Sequence, residues 1–178
     1  MWPWDHLALG YVGYSVYIHS RRGRPPGSAE TLALAIGTQF PDLLDKPLAW
    51  QFHVLPSGTT LFHSAFTAVG LCGLLVYFHR TPVSEAFALG YLLHLPADML
   101  YPALMGNGLW TSFLWWPLVA SGPSRSTTLL SKTMELFTGA LVQVQTPSGW
   151  VYLVVELCVL GIAGVLWLRD GHPGIGWN

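Results

Sequence analysis

Residues 83–104 read VSEAFALGYLLHLPADMLYPAL, and this stretch decides the class of fold. It is long enough to cross a bilayer, because a membrane-spanning helix needs roughly 20 mostly apolar residues. His94, Pro96 and Asp98 interrupt the apolar run. An acidic side chain inside an apolar span costs roughly 2.5 to 3.5 kcal/mol, so Asp98 indicates a specific role. His94 and Asp98 are four residues apart and therefore share one face of a helix.

The composition of the whole chain supports a membrane location. Hydrophobic residues make up 52% and charged residues 10% of the 178 residues, whereas a soluble domain carries about 25% charged residues. This excludes a disordered chain and a coiled coil, and the net charge of -1 gives no field that attracts nucleic acid. The nine Trp, seven Tyr and eight Phe residues suit the bilayer boundary. We therefore expect one integral membrane domain over residues 1–178, surrounded by membrane lipids and without a nucleic-acid partner.

Apolar runs along the chain predict an all-α, polytopic membrane helix bundle. Together with residues 83–104 they give about five transmembrane helices, and four or six remain open; the other spans are His6–Ser20, Ala29–Leu44, Thr60–His79 and Trp150–Leu168. Residues 109–120 are apolar but too short to span, and predict an interfacial aromatic segment. Residues 129–144 repeat apolar side chains at helical spacing and predict an amphipathic helix.

The basic residues predict an orientation. With five alternating spans, five of the eight basic residues share one face of the membrane: Arg21, Arg22, Arg24, Arg80 and Arg169. Lys46, Arg125 and Lys132 fall on the other face. By the positive-inside rule the arginine-rich face is cytoplasmic. The N-terminus is then extracytoplasmic and the C-terminus cytoplasmic, in the inner or plasma membrane.

Polar residues of the first four spans gather at the predicted outer end. Odd spans begin there and even spans end there, so six residues share that end: His6, Asp42, Asp45, His63, His94 and Asp98. Imidazole and carboxylate together are ligands for zinc, manganese or iron. Six candidates exceed the three or four protein ligands of one catalytic zinc, so either two ions share them or some orient ligands and accept protons. Glu135 and Glu156 are secondary candidates.

Simpler interpretations remain open for the same residues. Asp42 or Asp45 alone fits a helix cap or an ion pair with Lys46. His94 and Asp98 fit a hydrogen bond to each other without any metal. The same set also fits a translocation path for ions, but such a path predicts polar residues at several depths, whereas these lie at one end.

Four short motifs in the first hundred residues carry a family resemblance. They are Asp5-His6, GTQFPDLLD at residues 37–45, LFHS at residues 61–64 and HLPAD at residues 94–98. In these motifs the chain resembles the membrane-bound metal-dependent hydrolases, a family that includes LexA-regulated inner-membrane proteins. It departs from the family in two places. Residues 56–60 read PSGTT where many members carry an arginine, and Asp42 and Asp45 are separated by two residues where many members have one.

The resemblance implies a helical membrane protein that binds a divalent metal, with zinc first and manganese or iron as alternatives, as one or two ions. The implied metal ligands are His6, Asp42, His63, His94 and Asp98. The ligand order is more distantly similar to that of zinc phospholipases C, which cleave phosphoesters in an all-helical core. We therefore expect a hydrolase that cleaves a phosphoester of a lipid or lipid-linked substrate at the outer face. Asp45 or Asp98 would accept the proton, and residues 110–116 would guide a lipid tail. The alternative is a non-enzymatic protein that binds or transports a divalent metal ion.

Overall fold

The computed structural model describes residues 1–120 and 128–175, and in this part the chain forms α-helices and no β-strand. The helices are α1 (Pro3–Arg22), α2 (Ser28–Trp50), α3 (Ala65–His79), α4 (Pro82–Leu104), α5 (Leu129–Gln143) and α6 (Pro147–Arg169). A single 3-10 turn, Ser112–Trp115, lies between α4 and α5. The predicted all-α class is therefore confirmed.

Helix α2 packs chiefly against α4, while α1 contacts α2, α4 and α6, and α3 packs on α4. The hydroxyl of Tyr14, in the second half of α1, donates hydrogen bonds to Glu30 near the start of α2 and to the carbonyl of Pro82 at the start of α4. Helices α2 and α4 therefore begin at the end of the bundle where α1 finishes. Their C-terminal halves meet at the opposite end, beside the start of α1.

Two glycines allow α2 and α4 to approach closely. A Cβ atom on Gly37 would lie 2.2 Å from the carbonyl oxygen of Phe87, and one on Gly90 would lie 2.6 Å from that of Leu34. Both distances are far inside van der Waals contact, so only glycine permits this backbone separation. The contact fixes the N-terminal halves of both helices side by side.

The helix limits differ from the sequence prediction in two places. Helix α2 continues through Pro41 and Pro47 to Trp50. The sequence prediction ended this span at Leu44, because Pro41 favours a kink or a break. A proline removes one backbone donor, and the packing of α2 on α4 keeps the remaining helix intact. Helix α3 begins at Ala65 and not at Thr60, because residues 51–64 form an irregular segment that folds over the end of α2.

The predicted five-span bundle is not confirmed. Within the described residues, α6 is the one helix that is long and apolar enough to cross a membrane, with a mean hydropathy of 2.3. Helix α3 is apolar but has 15 residues. Helices α1, α2 and α4 bury polar residues inside the bundle, among them His6, Asp45 and His94 respectively. These residues lower the mean hydropathy of each helix. Large apolar side chains such as Val16 and Ile36 are exposed on their outer faces.

The segment between α4 and α6 is loosely attached to the bundle. Helix α5 matches the predicted amphipathic helix, contacts α2 and buries none of its residues. The aromatic segment before it is irregular apart from the 3-10 turn, and its Phe113 is buried against the ring of His63. This segment and α5 form one side of the cavity described below.

Candidate metal centre

Four side chains converge where α2, α4 and the segment before α3 meet. They are Asp42, His63, His94 and Asp98, and one ligand atom from each lies within 4.8 Å of all the others. Both imidazoles are completely buried, whereas the carboxylates keep 9% and 12% of their side-chain surface exposed. The buried nitrogens and the partly accessible oxygens together form one compact group.

Five distances between these atoms, from 3.2 to 3.9 Å, are close to the edges of a metal coordination polyhedron, and all six are within 4.8 Å. His63 Nε2 lies 3.2 Å from His94 Nε2, 3.3 Å from Asp42 Oδ1 and 3.6 Å from Asp98 Oδ2. His94 Nε2 lies 3.3 Å from Asp98 Oδ2 and 3.9 Å from Asp42 Oδ1. Ligands at 2.0–2.2 Å from a tetrahedral zinc ion are about 3.3 to 3.6 Å apart. The residues present therefore fit a zinc-sized cation.

Hydrogen bonds at the far side of each ring fix the two tautomers. His63 Nδ1 lies 2.8 Å from Oδ2 of Asp45, and His94 Nδ1 lies 2.7 Å from the carbonyl oxygen of Thr38. A carboxylate and a carbonyl accept hydrogen bonds, so both Nδ1 atoms are the donors. In the neutral rings each Nε2 then presents a lone pair to the other and to the two carboxylates. Such a group of acceptors needs a proton or a metal ion between them.

Asp45 holds His63 and the preceding segment in place. This carboxylate is fully buried and accepts hydrogen bonds from the backbone N–H groups of Thr60, Phe62 and His63, in addition to His63 Nδ1. Asp45 does not face the converging ligand atoms. A carboxylate behind a ligating histidine fixes the ring orientation and increases the basicity of the ligand.

His6 lies on the other side of Asp98. Its Nε2 is 3.2 Å from Asp98 Oδ1, and its ring stacks on that of His94 with 3.9 Å between centroids. Both ring nitrogens of His6, and Oδ1 of Asp42, are buried without a hydrogen-bond partner among the described residues. A cation at this site would supply Asp42 Oδ1 with the partner that it lacks. The structure thus brings all six candidate residues to one end of the bundle.

Charges around the site alter the protonation of His63. Burial lowers the pKa of His63, but the carboxylates of Asp42, Asp45 and Asp98 outweigh burial and raise it to about 10. Lys46 lies one helical turn beyond Asp42, and its Nζ is 2.5 Å from Asp42 Oδ2. The sequence-based ion pair of Asp42 with Lys46 is therefore present in addition to the convergence of the ligands.

A cavity of about 1090 Å³ opens directly onto Asp42 and Asp98. Its walls come from α2, the start of α1, the aromatic segment and α5, and include Trp50, Trp110 and Leu136. The charged side chains of this lining are Asp42, Lys46, Asp98, Lys132 and Glu135. Sequence reasoning did not place the two lysines in a site. The only signal was the four-residue spacing of Asp42 and Lys46.

The secondary candidates lie in different surroundings. Glu156 of α6 accepts a hydrogen bond of 2.6 Å from the indole of Trp4. Glu135 lies 2.7 Å from Lys132 on α5 and lines the cavity. Arg125, which the orientation argument used, lies outside the described residues.

Comparison with known families identifies the chain. Residues 1–171 match the YdjM inner membrane protein family. The chain belongs to this family. The YdjM match extends through α6 and so covers the C-terminal half as well as the motifs of the first hundred residues. No curated protein and no solved structure matches the chain.

Membership in the YdjM family, together with the apolar α6, makes the protein an inner-membrane protein. The large apolar side chains exposed on α6, among them Val154 and Leu157, then face lipid. The family match itself carries no information about a reaction or a metal.

Proposed function

We propose that this YdjM family member is a membrane-embedded, metal-dependent hydrolase that cleaves a phosphoester of a lipid or lipid-linked substrate at the extracytoplasmic face. The observation that carries the proposal is the meeting of two Nε2 lone pairs and two carboxylates at cation-binding distances. The backbone carbonyl of Thr38 and the carboxylate of Asp45 fix both rings in the tautomer that a metal requires.

The donor set favours zinc, with manganese or iron as alternatives. Asp42, His63, His94 and Asp98 would hold one ion. His6, which approaches the second oxygen of Asp98, would take part in binding another ion or would orient Asp98. A divalent cation supplies Lewis acidity to a phosphoester oxygen and makes water a stronger nucleophile at neutral pH.

Proton transfer is assigned to Asp98. The sequence leaves Asp45 and Asp98 as alternatives, and the surroundings of the two carboxylates differ. Asp45 is fully buried and already accepts four hydrogen bonds, so it acts as a positioning residue. Asp98 lines the cavity and is partly exposed, and its Oδ1 pairs at 3.1 Å with the N-terminal ammonium of Met1, which lines the same cavity. Geometric access to the substrate is the first requirement of a general base.

The cavity supports a lipid as the substrate. Apolar and aromatic side chains form most of its lining, and α5 and the aromatic segment contribute several of them. A water-soluble phosphoester would gain little from such walls, whereas an acyl chain would bury apolar surface against them. An outward orientation of the site is supported by the arginines, which lie at the opposite ends of α1, α3 and α6 and would be cytoplasmic by the positive-inside rule.

Metal transport is the competing proposal, and the packing beyond the site argues against it. Tyr11, Tyr14, Ile18, Leu34 and Ala86 form a buried core between the metal centre and the arginine-rich end. Leu34 and Ile18 are completely buried. A translocation path would need polar ligands that a passing ion can reach. The buried acids of this region, Glu30 and Asp170, already accept hydrogen bonds from Tyr14 and Tyr11.

Metal analysis and hydrolysis test the proposal together. Purified protein is compared with His63→Ala and Asp98→Ala, and with His53→Ala as a control in the exposed part of the same irregular segment. We expect loss of bound zinc and of lipid phosphoester hydrolysis in proteoliposomes for the first two variants only. Full metal retention in both would refute the metal centre. Zinc uptake into proteoliposomes without hydrolysis, abolished by the same substitutions, would favour transport.

A further inference from the structure

The distribution of basic residues marks one wall of the cavity. The chain has two lysines, Lys46 and Lys132, and both line the cavity in front of the metal centre. The described arginines are not part of this lining. Lys46 comes from α2 and Lys132 from α5, so two helices with little mutual contact bring their only ammonium groups to one space.

Each lysine forms an ion pair with an acidic side chain of its own helix. Lys46 Nζ is 2.5 Å from Asp42 Oδ2 and lies 5.9 Å from the ring centroid of Trp50. Lys132 Nζ is 2.7 Å from Oε1 of Glu135, whose side chain is 61% exposed. Surface ion pairs of this kind contribute little and break easily. Lys132 is therefore available to another anion at small cost.

The balance of charge in the lining depends on the metal. The carboxylates of Asp42, Asp98 and Glu135 are balanced by Lys46, Lys132 and the N-terminal ammonium of Met1, which also lines the cavity and lies 3.1 Å from Asp98 Oδ1. A divalent cation on the two aspartates would add two positive charges. The loaded cavity would therefore attract an anion more strongly than the metal-free cavity.

We propose that Lys46 and Lys132 form an anion-binding subsite that selects a phosphate-bearing lipid, with the phosphate between the lysines and the metal centre. The apolar walls, including Trp110 and Leu136, take the start of the acyl chains. A volume of about 1090 Å³ is at the upper end of small-molecule sites and holds a headgroup with part of its chains. The proposal rests on the proposed function and names the substrate class of that site.

Binding of a non-hydrolysable lipid separates this subsite from catalysis. The probe is a phosphonate analogue of phosphatidic acid with brominated acyl chains, which quenches tryptophan fluorescence when it lies beside Trp50 and Trp110. Zinc-loaded full-length protein in detergent micelles is titrated with the probe. Brominated diacylglycerol tests the contribution of the tail alone, and inorganic phosphate is the competitor that tests the headgroup alone.

Lys132→Met is the decisive variant, because Lys132 does not contact a proposed metal ligand. We expect its affinity for the phosphonate lipid to fall about tenfold, the loss of one charge-assisted hydrogen bond. Lys132→Arg keeps the charge and should bind within about twofold of the unaltered protein. Arg80→Met, which removes an exposed charge at the end of α3, is the matched control and should bind normally. Zinc content is measured in every variant.

Three results would overturn the subsite. The first is equal binding by Lys132→Met and Arg80→Met, and the second is equal binding of diacylglycerol and the phosphonate lipid. The third is displacement by inorganic phosphate at the affinity of the lipid, which would assign the site to free phosphate. Any of these results together with hydrolysis of the lipid would refute the subsite and leave the proposed function standing. Lysine-dependent binding without hydrolysis of phosphatidic acid would refute the proposed function and leave the subsite standing.

Discussion

Replacing Asp45 by asparagine tests whether the carboxylate behind His63 prepares the metal centre. The Asp45 carboxylate accepts hydrogen bonds of 2.9 Å from Thr60 N, 3.1 Å from Phe62 N, 3.1 Å from His63 N and 2.8 Å from His63 Nδ1. Asparagine has the same shape but one acceptor oxygen, and its amide group would face N–H donors. The variant therefore removes the charge that holds the His63 tautomer while the ring itself remains.

We expect Asp45→Asn to bind zinc about 10 to 100 times more weakly, the usual loss when a partner behind a ligand is removed. This corresponds to about 1.4 to 2.7 kcal/mol of binding free energy. Zinc affinity is measured by competition with a chelating indicator in detergent micelles. Thermal unfolding of the metal-free protein is followed in parallel, because the lost backbone hydrogen bonds also weaken the segment before α3 by about 1 to 3 kcal/mol.

Asp170→Asn is the matched control. Asp170 is a buried carboxylate that accepts hydrogen bonds of 2.8 Å from both Tyr11 and Ser15, remote from the metal centre. Its substitution should lower stability but leave zinc affinity within about twofold. A folded Asp45→Asn protein that binds zinc as tightly as the unaltered protein would refute the reasoning. Equal weakening by Asp170→Asn would refute it as well.

Three further predictions concern packing, the loop and proton release. Gly37→Ala should lower the free energy of unfolding by about 1 to 3 kcal/mol, because its Cβ would meet the carbonyl of Phe87. Gly70→Ala is the control and should leave the stability unchanged, because its Cβ would meet no atom within 4 Å. Tyr91→Phe removes the 2.6 Å hydrogen bond to the carbonyl of Phe62 and should cost about 1 to 3 kcal/mol in the same unfolding assay. Because the pKa of His63 is raised to about 10, its proton stabilises the metal-free protein at neutral pH and this stability is lost as the pH rises through 10. Zinc binding at pH 7 should therefore release about one proton, and the apparent affinity for zinc should rise with pH. Calorimetry in buffers of different ionisation enthalpy measures this release. Zinc binding that does not depend on pH would contradict the prediction.

Most helices follow from the apolar runs, and the exception at the start of α3 has its cause outside its own run. The predicted span at residues 150–168 agrees with α6, and the predicted amphipathic helix agrees with α5, because apolar periodicity reflects their local chemistry. The run from Thr60 is apolar like a helix, yet α3 starts at Ala65. Asp45, fifteen residues earlier, takes the Thr60 N–H group that a helix would have left unpaired. No local pattern reveals such a partner.

The count of spans shows a second limit. Hydropathy averages over the whole surface of a helix, whereas a bundle separates an inner polar face from an outer apolar face. In α4, His94 is buried while Leu92 and Leu100 are exposed. The mean hydropathy of α4 therefore falls below that of α6, although the outer face of α4 is apolar.

Residue chemistry and short spacings were sufficient to predict the all-helical class, the membrane composition and the types of residue that gather at one end. The positions of Asp45 behind His63 and of Asp98 at the cavity are visible only in the folded chain. The same holds for Lys46 and Lys132, which come from different helices and line one space. These roles depend on distances between residues far apart in the chain, which the packing of α2 on α4 and the fold of residues 51–64 fix.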